Sequence, residues 1–233
     1  MKDNITGLFI AVGFIVIFLA KFFAKFFLKA DKITTRFIAR TAVFAAIAII
    51  LYTVPGLKFA LPIFPSFLEI HLDEIPAFIA GFAYGPLSGF LVILVKTVVK
   101  LPITGTAGVG ELADFIYSAA FVLPAAFIYK KHRTIKGAFV AMMVATAIQV
   151  ITSSFITTFV MLDAYSYLYH LPKSVILSMC QKINPAITDL GFPFLLMVAL
   201  PFNALKDGIV VIVTFLLYKR LRLLFKRIDA QKN

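Results

Sequence analysis

Leu200-Pro201-Phe202-Asn203-Ala204-Leu205-Lys206-Asp207 sets an amide, an ammonium and a carboxylate at the start of the last apolar stretch of this chain. At helical spacing Asn203, Lys206 and Asp207 (i, i+3, i+4) share one face. A charged group costs roughly 2.5–3.5 kcal/mol at the centre of a membrane helix, so such residues face a bundle interior or a wet cavity. The chemistry on offer is recognition: the amide donates and accepts, the ammonium donates with charge assistance, and the carboxylate accepts. The simplest alternative for Lys206 is a structural salt bridge to Asp114 or Asp207, a pair that can still open to receive a ligand. A second polar cluster is Gly108-Val109-Gly110-Glu111-Leu112-Ala113-Asp114-Phe115, where Glu111 and Asp114 (i, i+3) share a face. The glycines allow close backbone approach, and a helix N-terminus tolerates carboxylates. Glu111 can therefore serve only its own helix end, whereas Asp114 lies one turn deeper. Lys96 and Lys100 are spaced i, i+4; Lys100 reads as an interfacial, snorkelling lysine. His71 and Glu69 read as solvated loop residues.

Catalytic and metal constellations are not visible. The sequence has no HExxH, no GxSxG, no phosphate-binding glycine loop and no paired cysteines. The single Cys180 excludes an internal disulfide, and His71, His132 and His170 have no ligand spacing. A membrane enzyme using Glu111 and Asp114 as acid and base would lack a nucleophile or metal. The reading is that the chain is not an enzyme, and that any active transport draws its energy from another chain.

The elements that must position these groups are apolar helices. The chain has 233 residues, 61% of them hydrophobic, with 26 phenylalanines. That composition predicts an all-α, polytopic membrane protein. The net charge of +12 does not indicate nucleic acid, because the basic residues cluster beside the apolar segments, as topology signals do. Seven segments are expected, over about 5–28, 37–54, 74–85, 87–101, 112–129, 137–160 and 191–218. The third and fourth are short, are separated at Gly85-Pro86, and must be tilted or shielded by protein. Basic clusters fall between segments one and two (Lys21 to Arg40), between five and six (Lys130, Lys131, Arg133, Lys136) and after seven (Lys219, Arg220, Arg222 onward). With these inside, the N-terminus is outside and the C-terminus cytoplasmic. Glu69, Asp73, Glu74, Glu111, Asp114, Asp163, Asp189 and Asp207 then fall outside, together with extended connections over about 55–73, 101–111 and 161–190. This pattern suggests a cup with a lid on the outer face.

From Val54 onward the chain resembles the riboflavin-specific S components (RibU type) of energy-coupling-factor, or ECF, vitamin importers. The resemblance rests on Pro55-Gly56-Leu57, Phe67-Leu68-Glu69-Ile70-His71-Leu72-Asp73-Glu74-Ile75-Pro76 and Tyr84-Gly85-Pro86-Leu87-Ser88-Gly89. It continues with Gly110–Phe115 and with Leu200-Pro201-Phe202-Asn203 followed by Lys206. It implies a six-helix S-component bundle over 34–233; residues 1–33 depart from that plan and are expected to form an additional N-terminal transmembrane helix and basic linker. It implies capture of riboflavin or a related flavin from outside, as transported ligand and not as cofactor. It also implies docking on a transmembrane coupling subunit driven by two cytoplasmic ATPase subunits. The site residues so implied are Asn203 and Lys206, with Asp114, Glu111 and Lys96 as further candidates. The docking face implied is Ala42 and Ala46, a small-xxx-small pair. The family's fourth-helix motif usually ends in Asn where this chain has Asp114, which leaves an S component for a different vitamin as the alternative.

Overall fold

The computed structural model describes residues 34–170 and 172–230. The additional helix expected over 5–28 and the basic residues that follow it up to Lys32 lie outside the described residues. Contacts divide the chain into Met1–Ile38 and Ala39–Asn233, and the second unit holds the architecture below apart from the first residues of its first helix.

Helix α1 spans Thr35–Thr53. A short antiparallel pair follows, β1 (Phe59–Ala60) with β2 (Glu69–Ile70), in register Phe59↔Ile70 and Ala60↔Glu69. Then come α2 (Glu74–Tyr84), α3 (Pro86–Lys100, with a 3-10 turn at Leu101–Ile103) and α4 (Val109–Lys131). Helix α5 (Ile135–Ile156) runs through a π turn at Thr157–Met161 into α6 (Leu162–Leu168). After α7 (Lys173–Gln181), the short α8 (Phe192–Phe194) and a second π turn at Leu195–Ala199 lead into α9 (Leu200–Ala230). Among the described residues, five helical runs are long and apolar enough to cross a membrane. The sixth element of the bundle is the 11-residue α2.

The sequence expected a loop over about 161–190; the structure carries the fifth run to Leu168 and adds α7. No glycine or proline occurs between Gly137 and Pro172. Nothing therefore stops the helix where its apolar character ends.

The shortness of α2 is resolved by burial. Every residue from Glu74 to Ala83 is buried, so this helix is shielded by protein and not by lipid. Gly85, at φ 96°, makes the turn into α3, and Pro86 starts that helix. Across the turn α2 and α3 pack closely: a Cβ on Gly89 would lie 3.1 Å from the Ala77 oxygen and 3.2 Å from the Gly81 Cα. Phe78 stands edge-on to Phe121 of α4 at 4.7 Å, and Phe82 meets Tyr129 at 4.5 Å. Gly89→Leu is expected to force these helices apart and destabilise the bundle by about 1–3 kcal/mol. Thermal unfolding in detergent, followed by circular dichroism, checks this; an unchanged midpoint would refute the close approach.

Candidate functional site

The polar groups converge at one end of the bundle. His71 follows β2, and Asp73 and Glu74 begin α2; α3 supplies Lys96, α4 supplies Asp114 and Ser118, and α9 supplies Lys206. Asp73, Glu74, Lys96 and Ser118 have no solvent exposure. Lys96 Nζ donates to Asp73 Oδ2, to Asp114 Oδ2 at 2.9 Å and to Ser118 Oγ at 2.8 Å. Lys206 Nζ donates to Glu74 Oε1 at 3.0 Å and lies 3.3 Å from His71 Nε2. His71 ties the two pairs together: its Nδ1 contacts Asp73 Oδ1, and its Nε2 lies 3.5 Å from Asp114 Oδ1.

His71 sits in the loop before α2. Burial and the Lys206 cation oppose its protonation, but the Asp73 and Glu74 carboxylates outweigh them and push its pKa up to about 9. As imidazolium it completes a balance of three cations (Lys96, Lys206, His71) against three carboxylates (Asp73, Glu74, Asp114). His71, Asp73, Glu74 and Asp114 offer ligand atoms within 4.8 Å of one another, a spacing a metal ion could use. Two lysine ammoniums already serve that donor set.

The raised value fixes a sign. The stabilisation from protonated His71 is fully present below pH about 6.5, its ordinary value, and is lost as pH rises through about 9. The stability difference between the wild type and His71→Gln is therefore expected to be on the order of 3 kcal/mol at pH 6 and to vanish above pH 9. Unfolding midpoints measured across this range test it; a difference independent of pH would show that His71 acts through packing alone.

Beside this cluster lies a cavity of about 240 Å³ whose lining includes Tyr52, Phe67, His71, Glu111, Asp114, Tyr117, Phe202, Asn203 and Lys206. Asn203 Nδ2 donates to the Ala199 carbonyl at 2.8 Å and to Ser154 Oγ at 3.1 Å. A carbonyl only accepts, so the amide nitrogen must face Ala199. Asn203 thus has both amide hydrogens engaged within the protein, and its Oδ1 remains as an acceptor. Glu111 Oε2 accepts from the Thr104 and Thr106 hydroxyls, both at 2.6 Å. Lys58 and Lys96 each stand 4.8 Å from the Tyr52 ring centre, and Lys100 stands 5.9 Å from it.

The structure thus brings together Asn203, Lys206, Asp114 and Glu111 around one cavity, as their sequence positions suggested. Lys96 differs: it is buried behind the cavity wall and absent from its lining. Lys206 pairs with Glu74, and neither Asp114 nor Asp207 is its salt-bridge partner. Asp207 is fully buried away from the cavity, and neither carboxylate oxygen finds a hydrogen-bond partner among the described residues. His71 is not solvated but central. Lys100 lines the cavity beside Tyr52. Sequence reasoning missed Tyr52, Tyr117 and Ser118, which sit in apolar runs where nothing local marks them as site residues. Asp114 explains its own presence: a carboxylate suits the Lys96 ammonium better than a neutral amide would.

Comparison with known proteins identifies the family. Residues 36–218 match the family described as "ECF transporter, substrate-specific component". The chain is 31% identical over 189 residues to "Riboflavin transporter FmnP" of Bacillus subtilis (strain 168), covering 79% of this chain and 93% of that protein. It is 29% identical to "Riboflavin transporter RibU" of Staphylococcus aureus (strain TCH60), covering 81% and 93%. A solved structure described as the S component of a bacterial ECF transporter superposes with a TM-score of 0.64 at 28% identity, over 82% of this chain and 98% of that one. The resemblance read from the motifs is therefore correct, and the protein is a transporter component and not an enzyme. This multi-pass membrane chain belongs to the family of substrate-specific components of ECF transporters.

Proposed function

We propose that the chain captures riboflavin, or a closely related flavin, in the cavity lined by α4, the π turn at Thr157–Met161, α6 and α9 and delivers it for uptake. The observation that carries this is the pairing of Asn203 Oδ1, an acceptor whose amide hydrogens are already bound, with the Lys206 ammonium one turn along the same helix. The imide edge of an isoalloxazine ring offers the complement: an N–H for Asn203 and a flanking carbonyl for Lys206. Phe67, Tyr117 and Phe202, all in the cavity lining, supply apolar faces for the rings. Asp114 and Glu111 border the ligand, and Lys96 holds Asp114 in place. Lys206 has three N–H donors, so it keeps one on Glu74 and turns another to the ligand. The relatives named riboflavin transporters support the flavin over another vitamin.

In this reading the cavity opens outward, with the C-terminus cytoplasmic. The protein works with a transmembrane coupling subunit and two cytoplasmic ATPase subunits, docking through Ala42 and Ala46 of α1. A native mass spectrum of the purified protein tests the ligand. A retained flavin is the expected result; a retained ligand of another class would overturn it.

A further inference from the structure

The end of the bundle away from the cavity carries a different feature. No aspartate or glutamate occurs between Asp114 and Asp163, or from Gly208 to Leu221, yet Lys130, Lys131, Lys136, Lys219 and Arg220 lie in those stretches. All five are exposed. They are gathered at one place because α4 and α9 meet there, with the Tyr129 and Tyr218 hydroxyls 3.0 Å apart. Helices α5 and α9 meet there too, with Phe139 and Phe215 edge to face at 5.6 Å. Lys219 lies 16 residues beyond Asn203 on α9, about 24 Å along the axis.

The cations continue exposed apolar stripes on two neighbouring helices. On α5, Lys136 precedes Phe139, which is 47% exposed, by three residues on the same face. On α9, Leu216, which is 59% exposed, is followed at i+3 and i+4 by Lys219 and Arg220. The apolar part of each stripe falls within a run suited to hydrocarbon. An occupant that meets both parts must be apolar along its length and anionic at one end. A protein surface that is merely acidic meets only the cations.

We infer that the paired α5–α9 face binds a phospholipid with an anionic headgroup. Its acyl chain lies along the exposed apolar face at Phe139 and Leu216, and its phosphate rests on Lys136, Lys219 and Arg220. The Tyr129–Tyr218 contact fixes the end of α9 against α4, and the Phe139–Phe215 contact fixes α5 against α9, so the backbone positions that carry the cations are set without the ligand. The inference is independent of which vitamin the cavity accepts.

The test uses the full-length protein, titrated with phosphatidylglycerol or with phosphatidylcholine of the same acyl chains. Retained lipid is counted by native mass spectrometry, and the unfolding midpoint is recorded in parallel. Saturable retention of phosphatidylglycerol, with a rise in midpoint that high salt removes, is expected. The variant K136Q/K219Q/R220Q should lose on the order of fivefold in phosphatidylglycerol affinity per cation removed. K182Q, on the far side of the bundle, should lose nothing. If the triple variant does not fold, the wild-type comparison of the two lipids in low and high salt decides. Equal retention of both lipids, or an unchanged response in the triple variant, would overturn the proposal. So would a triple variant that retains lipid normally but no longer binds the coupling subunit, which would assign the patch to a protein partner.

Discussion

Lys206→Ala is expected to weaken riboflavin binding by about 10- to 150-fold, the 1.5–3 kcal/mol of a hydrogen bond from a charged donor. The measurement is quenching of flavin fluorescence on titration with protein; the chain has no tryptophan, so indole emission does not intrude. The variant also has a folding consequence. Glu74 is fully buried and its Oε1 accepts from Lys206, so removing the ammonium strands a carboxylate at about 3–5 kcal/mol. The double variant Lys206→Ala/Glu74→Gln removes both charges together. It should recover most of the stability while leaving flavin binding weak. Such a split would show that Lys206 serves the ligand and not only its ion pair. Equal affinity in the wild type and both variants would remove Lys206 from the binding site.

The second large effect concerns α1. Ala45 and Ala48 are buried against the bundle, whereas Ala42 and Ala46 are exposed. Small side chains on an outward face let another helix approach closely. Ala46→Trp should therefore cut uptake at least about tenfold while flavin affinity stays unchanged, because the cavity lies elsewhere. Uptake by cells and binding by purified protein are compared on the same variant. Normal uptake with Trp at position 46 would move the docking face off this helix.

The last helix was the most legible part of the site. Asn203 and Lys206 are near neighbours in sequence, and helical spacing alone puts them on one face. Glu111 and Asp114 were legible for the same reason. What stayed hidden was every partner that comes from far away. Lys206 meets Glu74 across 132 residues and His71 across 135, and Lys96 meets Asp73 across 23. Local periodicity carries no information on such pairings. His71 is the clearest case: a histidine in a polar loop reads as solvated, and only the packing of that loop onto α2 and α4 shows it bridging two ion pairs. The helix ends that moved have a similar cause. Hydropathy marks where hydrocarbon stops, but a helix stops where the backbone meets glycine, proline or a cap. The stretch from Gly137 to Pro172 offers neither residue.

The neutral cluster of six charged side chains also constrains how the protein is made. Lys96 is costly for α3 alone in lipid, and pairing with α2, whose N-cap Asp73 receives that ammonium, removes the cost. Asp114 arrives with α4 and completes this first pair. Glu74 has His71 Nδ1 at 3.7 Å, but its lysine is on α9, the last of the described helices in chain order. A chain that ends before Leu200 lacks the lysine that Glu74 meets, so the charge balance of the cluster closes only when α9 is in place.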